Sequence, residues 1–368
     1  MRDKTLSRLT AGSLTLALAA LAMVGCSGGA SNSPGSTGEV RLQGAGATFP
    51  NPLYQKWFSE YNKAHPTSKF DYQSIGSGGG IKQISEGTVD FGGTDAPMKD
   101  EDLKAAKGGD ILHIPTVLGA VVLTYNLTGA QGELKLTPET VAGIFLGDIT
   151  KWNDPAIASE NPGLSLPANT ITSVHRSDGS GTSYVFTDYL SKVSPAWKEK
   201  AGAGTSVQWP AGSNALGAKG NEGVTGQVKQ TPNSIGYVEL IYAEQQRLPV
   251  ATLKNAAGRF VNPALQSITA AAASIAGRMP SDLRVSITNA PGPDAYPISA
   301  FTYLLVYKEQ KDPVKGKALV DFLWWAIHDG QQMASEMGYA PLPAEVVTKA
   351  EARIKSITHQ GKPLLADS

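Results

Sequence analysis

The stretch "HRSDGSGTSYVFTDYL", residues 175–190, sets Arg176 and Asp178 beside Gly179, Ser180, Gly181 and Thr182, just ahead of a run that reads as helix. Arginine is a planar cation with several donors. Hydroxyls add donors, and glycines leave the backbone uncovered. A helix start adds unpaired N–H groups at the positive end of its dipole. Together these groups bind an anion. Three other segments share the order of strand, small or hydroxyl residue, and helix start. They are "GAGATFPNPLY" with Thr48, "SIGSGGGIKQI" with Ser77, and "FGGTDAPMKDEDL" with Asp95. A single turn of this kind could be an ordinary Ser or Thr cap. Four of them with one arginine point to an oxyanion site, with Thr48, Ser77, Ser180 and Thr182 as hydroxyl donors.

Such turns need strands to end at them and helices to start from them. Strands are predicted over 39–45, 69–75, 88–95, 111–126, 171–176, 234–240 and 301–307. Helices are predicted over 51–65, 80–87, 138–147, 182–193 and 320–337. In the first helix Leu53, Trp57, Tyr61 and Ala64 recur at helical spacing, which implies one buried face. The alternation predicts α/β layers, in which ligands collect at the carboxyl ends of strands.

The chain has 368 residues, 41% of them hydrophobic, enough for two domains with cores of their own. Lys plus Arg equals Asp plus Glu at 32 each, which excludes a nucleic-acid binder held by a broad basic surface. Any charge recognition must be local. Arg2, Lys4 and Arg8 precede an apolar stretch, residues 11–25, that is short for a membrane span and reads as a leader. It ends at Cys26, the only cysteine. "LAMVGC" resembles a bacterial lipobox, so residues 1–26 are expected to be a lipoprotein signal peptide with lipidation at Cys26. Residues 27–39 read as a flexible polar tether. A protein anchored to a membrane outside the cytoplasm, periplasmic or on the cell surface, is the expectation.

The segments "GAGATFPNPLYQKW", "IGSGGGIKQI", "VDFGGTDAPM", "PTVLGAVVLTYN", "FLGDITKWNDPAI", "RSDGSGTSYVFTDYL", "WPAGSNALGAKGNEGV", "SIGYVEL" and "DAYPISAFTYLL" follow one another over nearly the whole mature chain. The set resembles the PstS family, the phosphate receptors of bacterial phosphate ABC transporters. The resemblance implies an α/β two-lobed periplasmic-binding-protein fold with the ligand in the cleft between lobes. Lobe I would be 40–126 with 298–368, and lobe II 127–297. It implies inorganic phosphate held by Thr48, the Phe49 backbone, Ser77 and Asp95 from one lobe, and by Arg176, Ser180, Gly181 and Thr182 from the other. Asp178 would hold Arg176 by a salt link. It further implies the transporter's membrane permease subunits as partners, and a non-enzymatic monomer without cofactor, metal or nucleic acid. Two nearby departures, "SGGG" after Ser77 and His175 before the arginine, remove no donor.

Asp95 is out of place in a site for anions unless the ligand has a proton to give. Phosphate carries an O–H at neutral pH, whereas sulfate, molybdate and tungstate have none. A site whose buried polar group is left unpaired can reject an analogue by roughly 10⁴–10⁵-fold. His65, His113, His175, His328 and His359 show no metal-ligand spacing. Trp324 and Trp325 read as helix packing, and "GCSGG" matches a nucleophile elbow only formally. A secreted phosphatase using Ser77 or Ser180 as nucleophile is the alternative. It would need a base or metal beside the serine, and His175 is the one histidine within these motifs. A receptor for sulfate or molybdate is a third reading, against which Asp95 argues.

Overall fold

The computed structural model describes residues 38–365 apart from 128, 130 and 131. The leader, Cys26 and the tether as far as residue 37 lie outside the described residues. From Glu39 the chain forms one compact unit. Its main sheet has eight strands in the order Ser68–Ser74, Val40–Gly46, Phe91–Thr94, Ser299–Tyr307, Ile111–Asn126, Ser234–Glu239, Thr172–Arg176 and Ala215–Ala218. All seven strands read from the sequence are present, within three residues at either end.

The long central strand organises the rest. Its apolar run is buried from Ile111 to Tyr125, the pattern of a strand covered on both faces. Over Ile111–Ala120 it pairs antiparallel with Ser299–Tyr307, and over Val121–Asn126 with Ser234–Glu239. The register slips between Thr302 and Tyr303, opposite Pro115 and Val117. Proline has no N–H for the ladder, and a bulge accommodates it. The return crossing lies alongside the first, because the Val121 N–H donates to the Ile298 carbonyl at 2.9 Å. The chain therefore passes from one half of the sheet to the other at two adjacent points, Ala120–Val121 and Ile298–Ser299.

These pairings fix where strands end. Val40–Gly46 runs parallel to Ser68–Ser74 and to Phe91–Thr94. Phe91–Thr94 is antiparallel to Ser299–Tyr307, so this group runs the same way as the central strand, toward residue 120. Ser234–Glu239 runs back toward residue 121, and Thr172–Arg176 and Ala215–Ala218 are parallel to it. The carboxyl ends of both parallel groups thus converge on one line at the crossings.

The helix Ser77–Glu86 begins three residues earlier than expected and sits very close to the sheet. A β-carbon at Gly80 would come within 2.6 Å of the Gly46 Cα and the Gly93 carbonyl oxygen. The expected helix 320–337 is two helices, Pro313–Ile327 and Gly330–Glu336. At the break the His328 ring Nδ1 lies 2.7 Å from the Trp324 carbonyl, which a continuing helix would give to a backbone N–H. Trp325 packs edge-on against Trp57 and Tyr61, which is core packing. Among the described residues no helix is long and apolar enough to cross a membrane.

Candidate functional site

Three side chains reach the convergence line from the first half of the sheet. Thr48 lies in the turn after Val40–Gly46, Ser77 opens the helix after Ser68–Ser74, and Asp95 directly follows Phe91–Thr94. All three are buried. Asp95 Oδ1 accepts from the Thr302 hydroxyl at 2.7 Å, and its N–H donates to Ser77 Oγ at 3.2 Å. Burial pushes the Asp95 carboxyl up to about 7, against the opposing influence of Thr302, Arg176 and Ser77. Phe49 is buried next to Thr48, with its carbonyl taken by the Tyr339 hydroxyl at 2.7 Å.

From the second half come Arg176, at the end of its strand, and the start of the helix Gly181–Val193. The Arg176 side chain is 1% exposed, and its Nε and Nη2 donate to the two Asp178 oxygens at 2.7 and 2.5 Å. Burial alone would raise the Asp178 carboxyl. The hydrogen bonds and charge of Arg176, with the Gly220 N–H, outweigh it and hold the group below its ordinary value. The guanidinium is thereby fixed in place, with Nη1 turned toward Thr182 Oγ1 at 3.4 Å. Ser180 is the helix N-cap, accepting from the Ser183 N–H at 3.0 Å. That bond uses a lone pair and leaves the Ser180 hydroxyl hydrogen free to donate.

The two halves touch. A β-carbon at Gly181 would overlap Ser77 Oγ and Asp95 Oδ2, so only glycine fits there. The Gly78 N–H donates to the Gly179 carbonyl at 2.9 Å across the same line. The eight ligand positions implied by the resemblance, with Asp178 behind them, are therefore brought together from both halves. Among the described residues the hydroxyls of Thr48, Ser180 and Thr182 donate to no protein acceptor, and the N–H groups of Phe49, Gly181 and Thr182 have none either. The site is rich in unspent donors with the buried carboxyl of Asp95 among them, and a second carboxyl, Glu239, is buried beside Asn221 at the end of its strand.

A family model described as a PBP superfamily domain matches residues 31–329. The phosphate-binding protein PstS of Xylella fastidiosa (strain 9a5c) is 48% identical over 317 residues, covering 86% of this chain and 85% of its own. The PstS of Methanocaldococcus jannaschii is 40% identical over 355 residues, covering 90% and 91%. The chain belongs to the PstS family of phosphate-binding proteins.

The solved structure of a high-affinity periplasmic phosphate-binding protein bound with phosphate (PfluDING) is similar at a TM-score of 0.66 and 21% identity, over 88% of this chain and 96% of that one. The phosphate-binding protein of Stenotrophomonas maltophilia matches at 0.66 and 22% identity, over 85% and 93%. Their likeness shows that this PstS-family chain has the α/β two-lobed periplasmic-binding-protein fold. Among the described residues no hydrogen bond joins His175 to a serine: its Nδ1 lies 3.0 Å from the Arg176 carbonyl and its ring stacks on Trp209. Among the described residues no three His, Cys, Asp or Glu side chains gather as a metal site.

The sequence reading missed Asn221, which is fully buried in this PstS-family site and bonded to both Thr48 and Thr182. It opens a helix, Gly220–Gln230, whose glycines at 220, 223 and 226 hide it from propensity. The signal was periodicity. Asn221, Val224, Thr225 and Val228 stand at i, i+3, i+4 and i+7, and all are buried.

Proposed function

We propose that the protein is the extracytoplasmic receptor for inorganic phosphate of an ABC importer, a binding protein and not an enzyme. The relatives are named phosphate-binding proteins, and one of the similar solved structures carries phosphate. The observation that carries the reading for this chain is the pairing of unspent donors with the buried carboxyl of Asp95. Phosphate oxygens would take the hydroxyls of Thr48, Ser77, Ser180 and Thr182, the N–H groups of Phe49, Gly181 and Thr182, and the guanidinium of Arg176. Asp178 would hold that guanidinium from behind. Asp95 would take the ligand's O–H, and with a carboxyl titrating near 7 it could share one proton with phosphate whichever of them carries it.

Lobe I would comprise 40–126 with 298–368 and lobe II 127–297. The paired crossings at Ala120–Val121 and Ile298–Ser299 support a hinge between them that lies ahead of the first bound, since Val121–Asn126 pairs with the lobe II strand Ser234–Glu239. The closed form would dock, as a monomer, on the permease subunits. Cys26 and the tether would hold the receptor at a membrane through lipid, a reading supported by the lipobox-like "LAMVGC".

The test is isothermal titration of the purified protein, stripped of ligand by unfolding and refolding, with phosphate and sulfate at neutral pH. Tight phosphate binding without sulfate heat is expected. Equal binding of both would remove the phosphate assignment, and binding of neither would remove the receptor reading as well.

A further inference from the structure

Resting on the phosphate reading above, we propose that Asn221 is a positioning residue of the site: its amide occupies acceptor lone pairs on Thr48 and Thr182 and leaves both hydroxyls able only to donate. The orientation of the amide follows from its surroundings. Asn221 Oδ1 faces the Glu239 backbone N–H at 3.1 Å, a group that can only donate. The NH₂ must then face the two threonines. Nδ2 donates to Thr48 Oγ1 at 2.8 Å and to Thr182 Oγ1 at 3.2 Å. Thr48 Oγ1 also accepts the Asn221 backbone N–H at 3.3 Å, and Thr182 Oγ1 accepts Arg176 Nη1 at 3.4 Å.

Each hydroxyl oxygen therefore has two N–H donors on it, and a hydroxyl has only two lone pairs. What remains on each is a single O–H hydrogen. A free hydroxyl rotor would adapt to a ligand O–H by accepting from it, whereas these two cannot. At these two positions the ligand meets donors only, and Asp95 offers a carboxyl acceptor. A ligand with one O–H and otherwise bare oxygens fits that division, and one presenting further O–H or ester groups to the threonines does not. The same amide joins the halves, since Thr48 belongs to the first and Thr182 and Asn221 to the second.

Asn221 is held rigidly enough for this role. Gly220 before it has φ +72°, which favours glycine, and donates its N–H to Asp178 Oδ1 at 3.1 Å. One turn thus supports both the partner of Arg176 and the orientation of the threonine hydroxyls.

The experiment is a double-mutant cycle on phosphate affinity with N221A and T48V, read by titration. Each single variant should weaken binding by roughly tenfold or more. The double variant should bind within about twofold of N221A alone, because both changes remove the same directed hydroxyl. An Asn221 that does not act through Thr48 predicts losses that multiply. That result, or an N221A variant within about twofold of wild type, would overturn the proposal while leaving the phosphate reading intact. Wild-type protein that fails to bind phosphate would overturn both. Should N221A prove unfolded by circular dichroism, N221L, which keeps the side-chain volume without the amide, takes its place in the same cycle.

Discussion

Arg176 and Asp178 form a pair in which Nε and Nη2 each donate to a carboxylate oxygen, while Nη1 is directed elsewhere, toward Thr182. Removing the guanidinium leaves the Asp178 carboxylate buried without its partner and takes the only arginine from the site. Arg176→Ala should therefore cost at least ~3 kcal/mol of phosphate binding; titration of the variant within tenfold of wild type would refute the role. Asp95 makes two predictions. Asp95→Asn should admit sulfate, and a variant that still excludes it would sink the proton-acceptor reading. The second concerns stability. A carboxyl raised from 3.8 to about 7 by burial keeps a proton in the folded state that the unfolded chain loses. Ligand-free stability should thus fall as pH rises from about 4 to about 7, by about 4 kcal/mol from this group, and then level off. Asp178, held low, acts in the opposite direction and below that window. The check is the difference between wild type and Asp95→Asn in denaturant unfolding across this range, and parallel pH profiles would contradict it.

Helix starts make the site, and each is fixed by a different local device. Ser180 caps its helix through a lone pair, which leaves its hydroxyl hydrogen free. The helix at Ser77 is held down by Gly80 against Gly46 and Gly93. Gly181 is where the two halves come into contact, so Gly181→Ala should leave the fold intact and prevent full closure. The overpacking amounts to roughly 1–3 kcal/mol, about five- to 150-fold in phosphate affinity. Circular dichroism with titration would show it, and unchanged affinity would mean that the halves close differently. At this scale the sequence was most legible where hydroxyl and glycine stood next to periodic apolar residues, as in "SGTSYVF". It was least legible in "GAKGNEGVTGQV". There intrinsic propensity speaks against helix, and the burial of Asn221, Val224, Thr225 and Val228 overrides it.

For the whole molecule, the two crossings lie side by side, so they can serve as one hinge line. Phosphate should draw the lobes together, giving a smaller radius of gyration by small-angle scattering. It should also stabilise the protein by about 2.7 kcal/mol at a ligand concentration of about 100 times Kd. Scattering unchanged by saturating phosphate would argue that the ligand-free protein is already closed.

The strands, their order along the chain and the donor and acceptor types of the candidate site were contained in the sequence. Alternation of apolar residues is a local property, and Arg176, Asp178, Ser180 and Thr182 are neighbours along it. Asp95 could be named from charge alone, because a carboxylate among anion donors needs a proton to accept. Tertiary structure alone decided which turns meet. The partner change at Ala120–Val121 depends on pairing with strands more than a hundred residues away. That pairing brings Asp95 and Ser77 against Gly181, buries Asp95 enough to raise its carboxyl, and sets Asn221 between Thr48 and Thr182. Local periodicity marks which face of an element is buried, but which turns come into contact is a property of the assembled sheet that no local pattern of residues encodes.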